Sequence, residues 1–183
     1  ELQKVIAEHA SRGQSIPEKF VAEVMKQALE AMAYCHTKGL IHKDLKDENI
    51  MLLKQVNISQ GETPHCVIID LGIAEMFKPA HPRGRIMGGT PTTMAPEVLL
   101  NSFGPRCDVF SLGCVLFQLL CGEMPVNPND ARWRSLFQNC RTQEEQLAAY
   151  LQAKKQGPDW KLLAQASREA RDLASKMMSF KEE

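Results

Sequence analysis

Apolar residues repeat at helical spacing along much of the chain. Leu2, Val5 and Ile6 predict a helix at its start. A longer stripe predicts an amphipathic helix that ends near Thr37, and the segment Ser15–Glu18 before it has the pattern of a capping box with proline in the first turn. The apolar positions of this stripe are Val21, Val24, Met25, Ala28, Met32 and Cys35.

Three further helices are predicted in the second half. Residues 105–120 are apolar on most faces, which is typical of a buried helix, and Gly122 ends it. Residues 143–156 form a polar helix, and for the stretch 127–156 a solvated surface and a docking surface both remain open. Ser167 is predicted to cap a last helix. Its inward positions are Ala170, Leu173, Ala174, Met177 and Met178.

Three short apolar runs predict strands between the helical parts. They are Leu40–Ile41, Ile50–Leu53 and Cys66–Ile69, and the polar connection 54–65 joins the last two as a hairpin. The pattern therefore predicts a mainly α fold with a small β-hairpin region.

Composition restricts the function classes. The chain has 183 residues, enough for one domain, and its 22 basic residues balance 22 acidic ones, so nucleic acid is not expected as a partner. No apolar run approaches the ~20 residues of a membrane span. The chain starts inside a helical pattern, so we expect it to be a piece of a longer, cytoplasmic protein.

The six cysteines do not suggest a metal site. None forms a C-x-x-C pair, and Cys107, Cys114 and Cys121 recur every seven residues, near one face of a helix. We expect buried free thiols in a reducing compartment.

Polar residues with a shared chemistry lie on two loops between the apolar runs. Asp44, Lys46 and Asn49 follow the first strand, and Asp70 follows the third. A carboxylate that accepts a proton, an ammonium that binds phosphate, and an amide with a second carboxylate for Mg²⁺ are what phosphoryl transfer requires.

These residues stand in a recognisable order. The loops read His-Lys-Asp-Leu-Lys-Asp-Glu-Asn at 42–49 and Asp-Leu-Gly at 70–72, and Gly-Thr-Pro-Thr-Thr-Met-Ala-Pro-Glu follows at 89–97. Together they resemble the catalytic loop, the metal loop and the end of the activation segment of eukaryotic protein Ser/Thr kinases. Lys46 favours Ser/Thr over Tyr specificity.

The resemblance implies roles around the reacting groups and the nucleotide. Asp44 would be the base, Lys46 would reach the transferred phosphoryl group of ATP, and Asn49 and Asp70 would hold Mg²⁺. Thr90 would shape the hydroxyl site. Met51 would form the floor of the adenine pocket, with Leu2 under the adenine and Glu1 near the ribose.

It also implies supporting and substrate-binding roles. Glu48 would read a basic side chain near the target Ser or Thr of a protein substrate. Asp108 would accept hydrogen bonds from the catalytic-loop amides, where His42 and Lys43 lie. Glu97 would pair with an arginine outside the chain.

The sequence also departs from the family pattern. Lys43, Asp47, Leu71, Thr93 and Phe110 replace the usual Arg, Pro, Phe, Tyr and Trp. None of these changes removes a group expected to touch phosphate, metal or hydroxyl, and Thr93 alters the wall beside the substrate site.

The activation segment, residues 70–97, contains no Ser, Thr or Tyr between Ile73 and Gly89. A phosphate there would pair with the residue beside the catalytic Asp, which is Lys43, and a lysine lacks the bidentate grip of a guanidinium. We therefore predict that phosphorylation in the middle of this loop does not activate the enzyme.

The family pattern suggests which part of a kinase is present. No G-x-G-x-x-G and no strand V-A-I-K occurs, so we expect a partial domain over 1–183: the C-terminal lobe, without the small lobe and cut before its last helices. We expect this fragment to be inactive alone. The alternative is a pseudokinase that acts as a binding module, which the presence of all four catalytic groups disfavours.

The last third of the chain points to a subgroup. Trp160 and the segment Ser167–Leu173, which reads S-R-E-A-R-D-L, resemble the calmodulin-dependent and calcium-dependent protein kinases. This resemblance implies a calcium-sensing regulatory segment outside the chain.

Overall fold

The computed structural model describes residues 1–78, 84 and 86–179, and it is mainly helical, as the sequence predicts. Its helices are α1 (Leu2–Ser11), α2 (Glu18–Thr37), α3 (Pro96–Leu99), α4 (Arg106–Cys121), α5 (Arg134–Phe137), α6 (Gln143–Gln156) and α7 (Arg168–Met177). Its strands are β1 (Leu40–Ile41), β2 (Ile50–Leu52), β3 (Cys66–Ile68) and β4 (Glu75–Met76). The prediction for residues 180–183 lies outside the described residues.

Helix α4 is the centre of the core. Most of its side chains are buried, and it packs against α2 on one side and α7 on the other. A Cβ on Gly113 would lie 2.8 Å from Met178 and 2.9 Å from Met177, so glycine lets α7 approach closely. The predicted stripe of α2 is buried from Val21 to Met32.

Two details of the helix predictions are wrong. Helix α2 begins after Pro17 without a side-chain cap, because a proline side chain has no oxygen that could accept from the first amides, and the Glu18 carboxylate accepts a hydrogen bond from the Ser167 amide at 2.6 Å. On α7, Leu173 is 42% exposed, because the helix meets α4 through Ala174 and the methionines at its end.

The strands form two antiparallel pairs in the described residues. Strands β2 and β3 make the predicted hairpin, with Ile50 opposite Ile68 and Leu52 opposite Cys66. Strand β1 pairs with β4, which the sequence did not reveal. These two pairs hold the polar loops after β1 and after β3 side by side.

The six cysteines are free thiols, and Cys107, Cys114 and Cys121 all lie on α4. Burial raises the pKa of Cys114 and of Cys121 to about 11, so these thiols stay protonated at neutral pH. Among the described helices, none is both long enough and apolar enough to cross a membrane.

Candidate active site

The loop after β1 is attached to the core through a buried carboxylate. Asp108, at the start of α4, accepts hydrogen bonds from the backbone amides of His42 and Lys43, both at 2.9 Å. It also contacts Nε2 of His36 at 2.8 Å, and it has no exposed surface. The two backbone contacts are the kind the family resemblance implied for Asp108, the contact with His36 was not predicted, and together they offset the cost of burying its charge.

His42 joins this loop to the one after β3. Its Nδ1 accepts from the Asp44 amide at 3.3 Å, so Nε2 carries the proton and donates to the Ile69 carbonyl at 3.1 Å. Ile69 precedes Asp70, and the Ile69 amide donates to the Asn49 carbonyl at 2.9 Å. The two loops are therefore fixed to each other next to their polar residues.

Three predicted site residues meet at one point. The Thr90 hydroxyl donates to Oδ1 of Asp44 at 2.6 Å, and Lys46 Nζ donates to the Thr90 oxygen at 3.1 Å. Lys46 Nζ also lies 3.4 Å from Oδ2 of Asp44. A carboxylate, an ammonium and a hydroxyl thus share one partly buried site.

These contacts shift the pKa values of Asp44 and Lys46. Burial raises the pKa of Asp44, but the hydrogen bond from Thr90 and the charge of Lys46 outweigh it and bring this pKa below its usual value. Burial lowers the pKa of Lys46, and the carboxylates of Glu48 and Asp44 more than compensate, so it lies above its usual value. Both groups are ionised at neutral pH.

The two predicted metal ligands lie at the ends of β2 and β3. Asn49 donates from Nδ2 to the Asp44 carbonyl at 2.8 Å, which leaves its amide oxygen facing away from that bond. Asp70 has a φ of 64° and accepts the Gly72 amide on Oδ1 at 3.1 Å. Each residue keeps an oxygen that can bind a hard cation.

The residues predicted around the nucleotide base differ in accessibility. Met51 on β2 is 37% exposed and lies opposite Val67, whereas its neighbour Ile50 is buried. Glu1 is exposed and makes an ion pair with Lys4 at 3.5 Å. Leu2 has no accessible surface and belongs to the core, so in this structure it is not available to an adenine.

The predicted substrate-reading carboxylate is engaged within the site. Glu48 contacts Lys46 at 3.1 Å and accepts from Gln3 at 3.3 Å. Its neighbour Asp47 is buried and accepts from Gln118 at 3.2 Å. Burial, and then the charge of Glu48, raises the pKa of Asp47.

Sequence analysis missed a buried ion pair beside the catalytic loop. Lys43, which has a φ of 70°, contacts Glu75 at 3.1 Å and donates to the Ile86 carbonyl at 3.2 Å. Glu75 lies on β4, so only the unpredicted pairing of β1 with β4 brings these two residues together.

Glu97, the residue predicted to bind an arginine outside the chain, is partly buried on α3. Burial raises its pKa, while the nearby Lys154 acts in the opposite direction. Sequence analysis had assigned Lys154 to a polar helix and gave it no role.

Known proteins with similar sequences are named as protein kinases. The chain is 44% identical over 109 residues to Calcium-dependent protein kinase 24 of Arabidopsis thaliana, which covers 59% of the chain and 18% of that protein. It is 40% identical over 105 residues to Calcium-dependent protein kinase 5 of Plasmodium berghei, covering 57% and 18%. CDPK-related kinase 5 of Arabidopsis thaliana matches over 171 residues at 32% identity, covering 92% of the chain and 25% of that protein.

The chain thus spans about a fifth of the length of these relatives. The model of the protein kinase domain matches residues 1–183. The chain therefore belongs to the protein kinase domain family.

Proposed function

We propose that the parent protein is a Ser/Thr kinase and that this chain supplies the groups that transfer the γ-phosphoryl group of ATP to a protein hydroxyl. The observation that carries the proposal is the meeting of Asp44, Lys46 and Thr90 within hydrogen-bond distance. Phosphoryl transfer needs mainly positioning and charge neutralisation, and these three side chains provide both at one point.

Asp44 is proposed to orient the acceptor hydroxyl and to take its proton. Because the pKa of Asp44 lies below its usual value, the carboxylate is ionised and accepts a hydrogen bond at neutral pH. A weak base of this kind orients the hydroxyl first and receives the proton late, when the oxygen has begun to bond to phosphorus. Thr90 fixes Oδ1 of Asp44. Oδ2 of Asp44, which lies 3.4 Å from Lys46 Nζ and 3.4 Å from Asn49 Nδ2, is proposed to accept from the substrate hydroxyl.

Lys46 is proposed to bind the phosphoryl group in transfer. Its ammonium lies between the carboxylates of Asp44 and Glu48, at 3.4 and 3.1 Å, and is held by Thr90. An ammonium fixed in this way needs little reorganisation as negative charge develops on the leaving and transferring oxygens.

Asn49 and Asp70 are proposed to hold Mg²⁺ against the phosphates. Both offer oxygen, the ligand type that Mg²⁺ prefers, and Mg²⁺ in such sites takes one or two protein ligands and completes its shell with phosphate and water. The described residues contain no group of three or more His, Cys, Asp or Glu side chains that could hold a metal. When bound, the ion neutralises phosphate charge.

Two further observations bear on the substrate and on the regulator. Glu48 is half exposed, so exchange of its contact with Lys46 for a basic side chain of the substrate is sterically open. The names of the similar proteins describe calcium-dependent kinases, which supports a calcium-sensing segment elsewhere in the parent.

The proposal is tested by assaying the full-length parent with radiolabelled ATP and a protein substrate that has basic residues near its Ser or Thr. We expect Asp44→Asn to lower kcat about 10²- to 10⁴-fold, the usual range for loss of a general base. Asp172→Asn, on the exposed face of α7, is the matched control and should retain activity. Equal rates for Asp44→Asn and an active wild type would contradict the proposed role of Asp44. An inactive wild-type parent would contradict the kinase proposal and favour a binding module.

A further inference from the structure

A lysine is buried in the helix that sequence analysis treated as polar surface. Lys154, near the end of α6, is only 7% exposed. Its Nζ donates to the backbone carbonyl of Thr92 at 2.9 Å. Lysine is among the residue types that are rarely buried without a partner, so this position requires an explanation.

The surroundings of Lys154 suit a cation. Its Nζ lies 5.3 Å from the ring centre of Phe110 and 6.0 Å from that of Tyr150. Glu97 on α3 and Cys114 on α4 are the titratable groups that act on it from neighbouring helices, and Tyr150 faces it from its own helix. Burial lowers the pKa of Lys154 to about 8, against the opposing effects of Cys114 and Glu97.

The carbonyl that Lys154 binds belongs to the substrate loop, which we define as residues 90–95. The loop is held at three points. The Thr90 hydroxyl donates to Asp44, the Thr93 carbonyl accepts from Ser111 at 2.9 Å, and the Thr92 carbonyl accepts from Lys154. Of these three contacts, only the last comes from α6. Lys154 therefore connects this helix to the loop that carries Thr90.

Stability alone does not account for a lysine here. An apolar side chain of similar length would avoid the desolvation of a charge, and the lowered pKa of Lys154 indicates that its surroundings do not fully offset this cost. Residues that break the rule that charged side chains stay exposed are expected where function requires them. The hydrogen bond that Lys154 makes while its charge is buried is the one to Thr92 in the substrate loop.

We propose that Lys154 is a positioning residue for the protein substrate, which holds the substrate loop so that Thr90 stays on Asp44 and Lys46. This inference rests on the proposed kinase function and extends it, because it assigns to α6 a part in substrate recognition. Among the described residues, no hydrogen bond of Lys154 reaches Asn49 or Asp70. Its effect should therefore fall on the peptide and not on ATP.

The test uses the full-length parent, with separate titrations of a peptide substrate and of ATP. We expect Lys154→Met to lower kcat/KM for the peptide about tenfold, the equivalent of one charge-assisted hydrogen bond, with KM for ATP changed by less than about twofold. The melting temperature is recorded for each variant, because Lys154→Met also leaves the Thr92 carbonyl without its donor. Lys161→Met, at an exposed lysine shortly after α6, is the matched control and should behave as the wild type.

A pH profile gives a second and independent readout. When Lys154 loses its proton above pH 8, its bond to Thr92 is no longer charge-assisted, so peptide kcat/KM should decline there. Lys154→Arg keeps charge and donor, and its profile should stay flat over the same range. If Lys154→Met does not fold, the comparison of the wild type with Lys154→Arg tests the role of Lys154 by itself.

The outcomes separate this inference from the function on which it rests. An inactive wild-type parent would contradict the kinase proposal itself. An active wild type with unchanged peptide kcat/KM in Lys154→Met would overturn the role of Lys154 alone, as would equal losses for peptide and ATP together with a lower melting temperature. Coincident pH profiles of the wild type and Lys154→Arg would also overturn it.

Discussion

Removing the charge of Glu75 tests how the catalytic loop is attached to the activation segment. The side chains of Lys43 and Glu75 are 5% and 14% exposed, and their atoms are 3.1 Å apart. In Glu75→Gln the ammonium of Lys43 would keep its bond to the Ile86 carbonyl but lose its counter-charge. Loss of one partner from a buried pair costs about 3–5 kcal/mol, and the small exposure of Glu75 places the estimate near 3.

Differential scanning fluorimetry of the parent measures this effect. For a domain of this size about 1 kcal/mol corresponds to about 2–4 °C, so Glu75→Gln should lower the melting temperature by about 6–12 °C. The control is Asp172→Asn, which breaks an exposed pair with Lys176 at 2.7 Å and should shift it by about 2 °C or less.

A double-mutant cycle isolates the pair. Lys43→Met combined with Glu75→Gln should be less destabilised than the sum of the single changes, because the double variant removes both charges of this pair together. If Glu75→Gln shifts the melting temperature no more than Asp172→Asn does, the account of an internal carboxylate that satisfies Lys43 is refuted.

Other predictions concern the fold, its pH dependence and its regulation. Gly89→Ala should reduce both stability and activity, because its φ is 123° and the new Cβ would lie 2.4 Å from the Lys43 carbonyl oxygen. As a control, Gly61→Ala, where nothing lies within 4 Å, should lower the free energy of unfolding by only about 1 kcal/mol. Lys154 should add about 2 kcal/mol of stability between pH 8 and about pH 10, because the unfolded Lys154 keeps its proton there while the folded one releases it. The buried thiols Cys114 and Cys121 act in the opposite direction above pH 9, so the rise is measured as the difference between the wild type and Lys154→Met. Melting curves of Lys154→Met against pH should lack this rise. Phosphopeptide mapping of the active parent should find no obligatory phosphate in the activation segment, and an activating phosphate there would contradict the role of Lys43.

Local chemistry made the helices and the polar loops predictable. Helices α2 and α4 follow from apolar spacing, because one face or nearly all faces must be buried. The catalytic residues could be recognised because Asp44, Lys46 and Asn49 are close in sequence. Asp70 follows within one hairpin of them.

Contacts between distant residues were not predictable in the same way. The pair of Lys43 and Glu75 depends on β4, a strand of two residues with too short a pattern to recognise. The burial of Lys154 depends on the packing of α6 against α3, and no local signal distinguishes it from the exposed Lys155. Glu18 had a local capping role available but is used to bind Ser167, 149 residues away.

A crystal structure of the full-length parent with Mg²⁺ and a non-hydrolysable ATP analogue tests the central claim most directly. We predict that the ion bonds to the amide oxygen of Asn49 and a carboxylate oxygen of Asp70 at about 2.1 Å. Lys46 should lie within hydrogen-bond distance of the terminal phosphate, with Asp44 facing the position of an acceptor hydroxyl. A nucleotide whose terminal phosphate and metal lie away from these four residues would contradict the account.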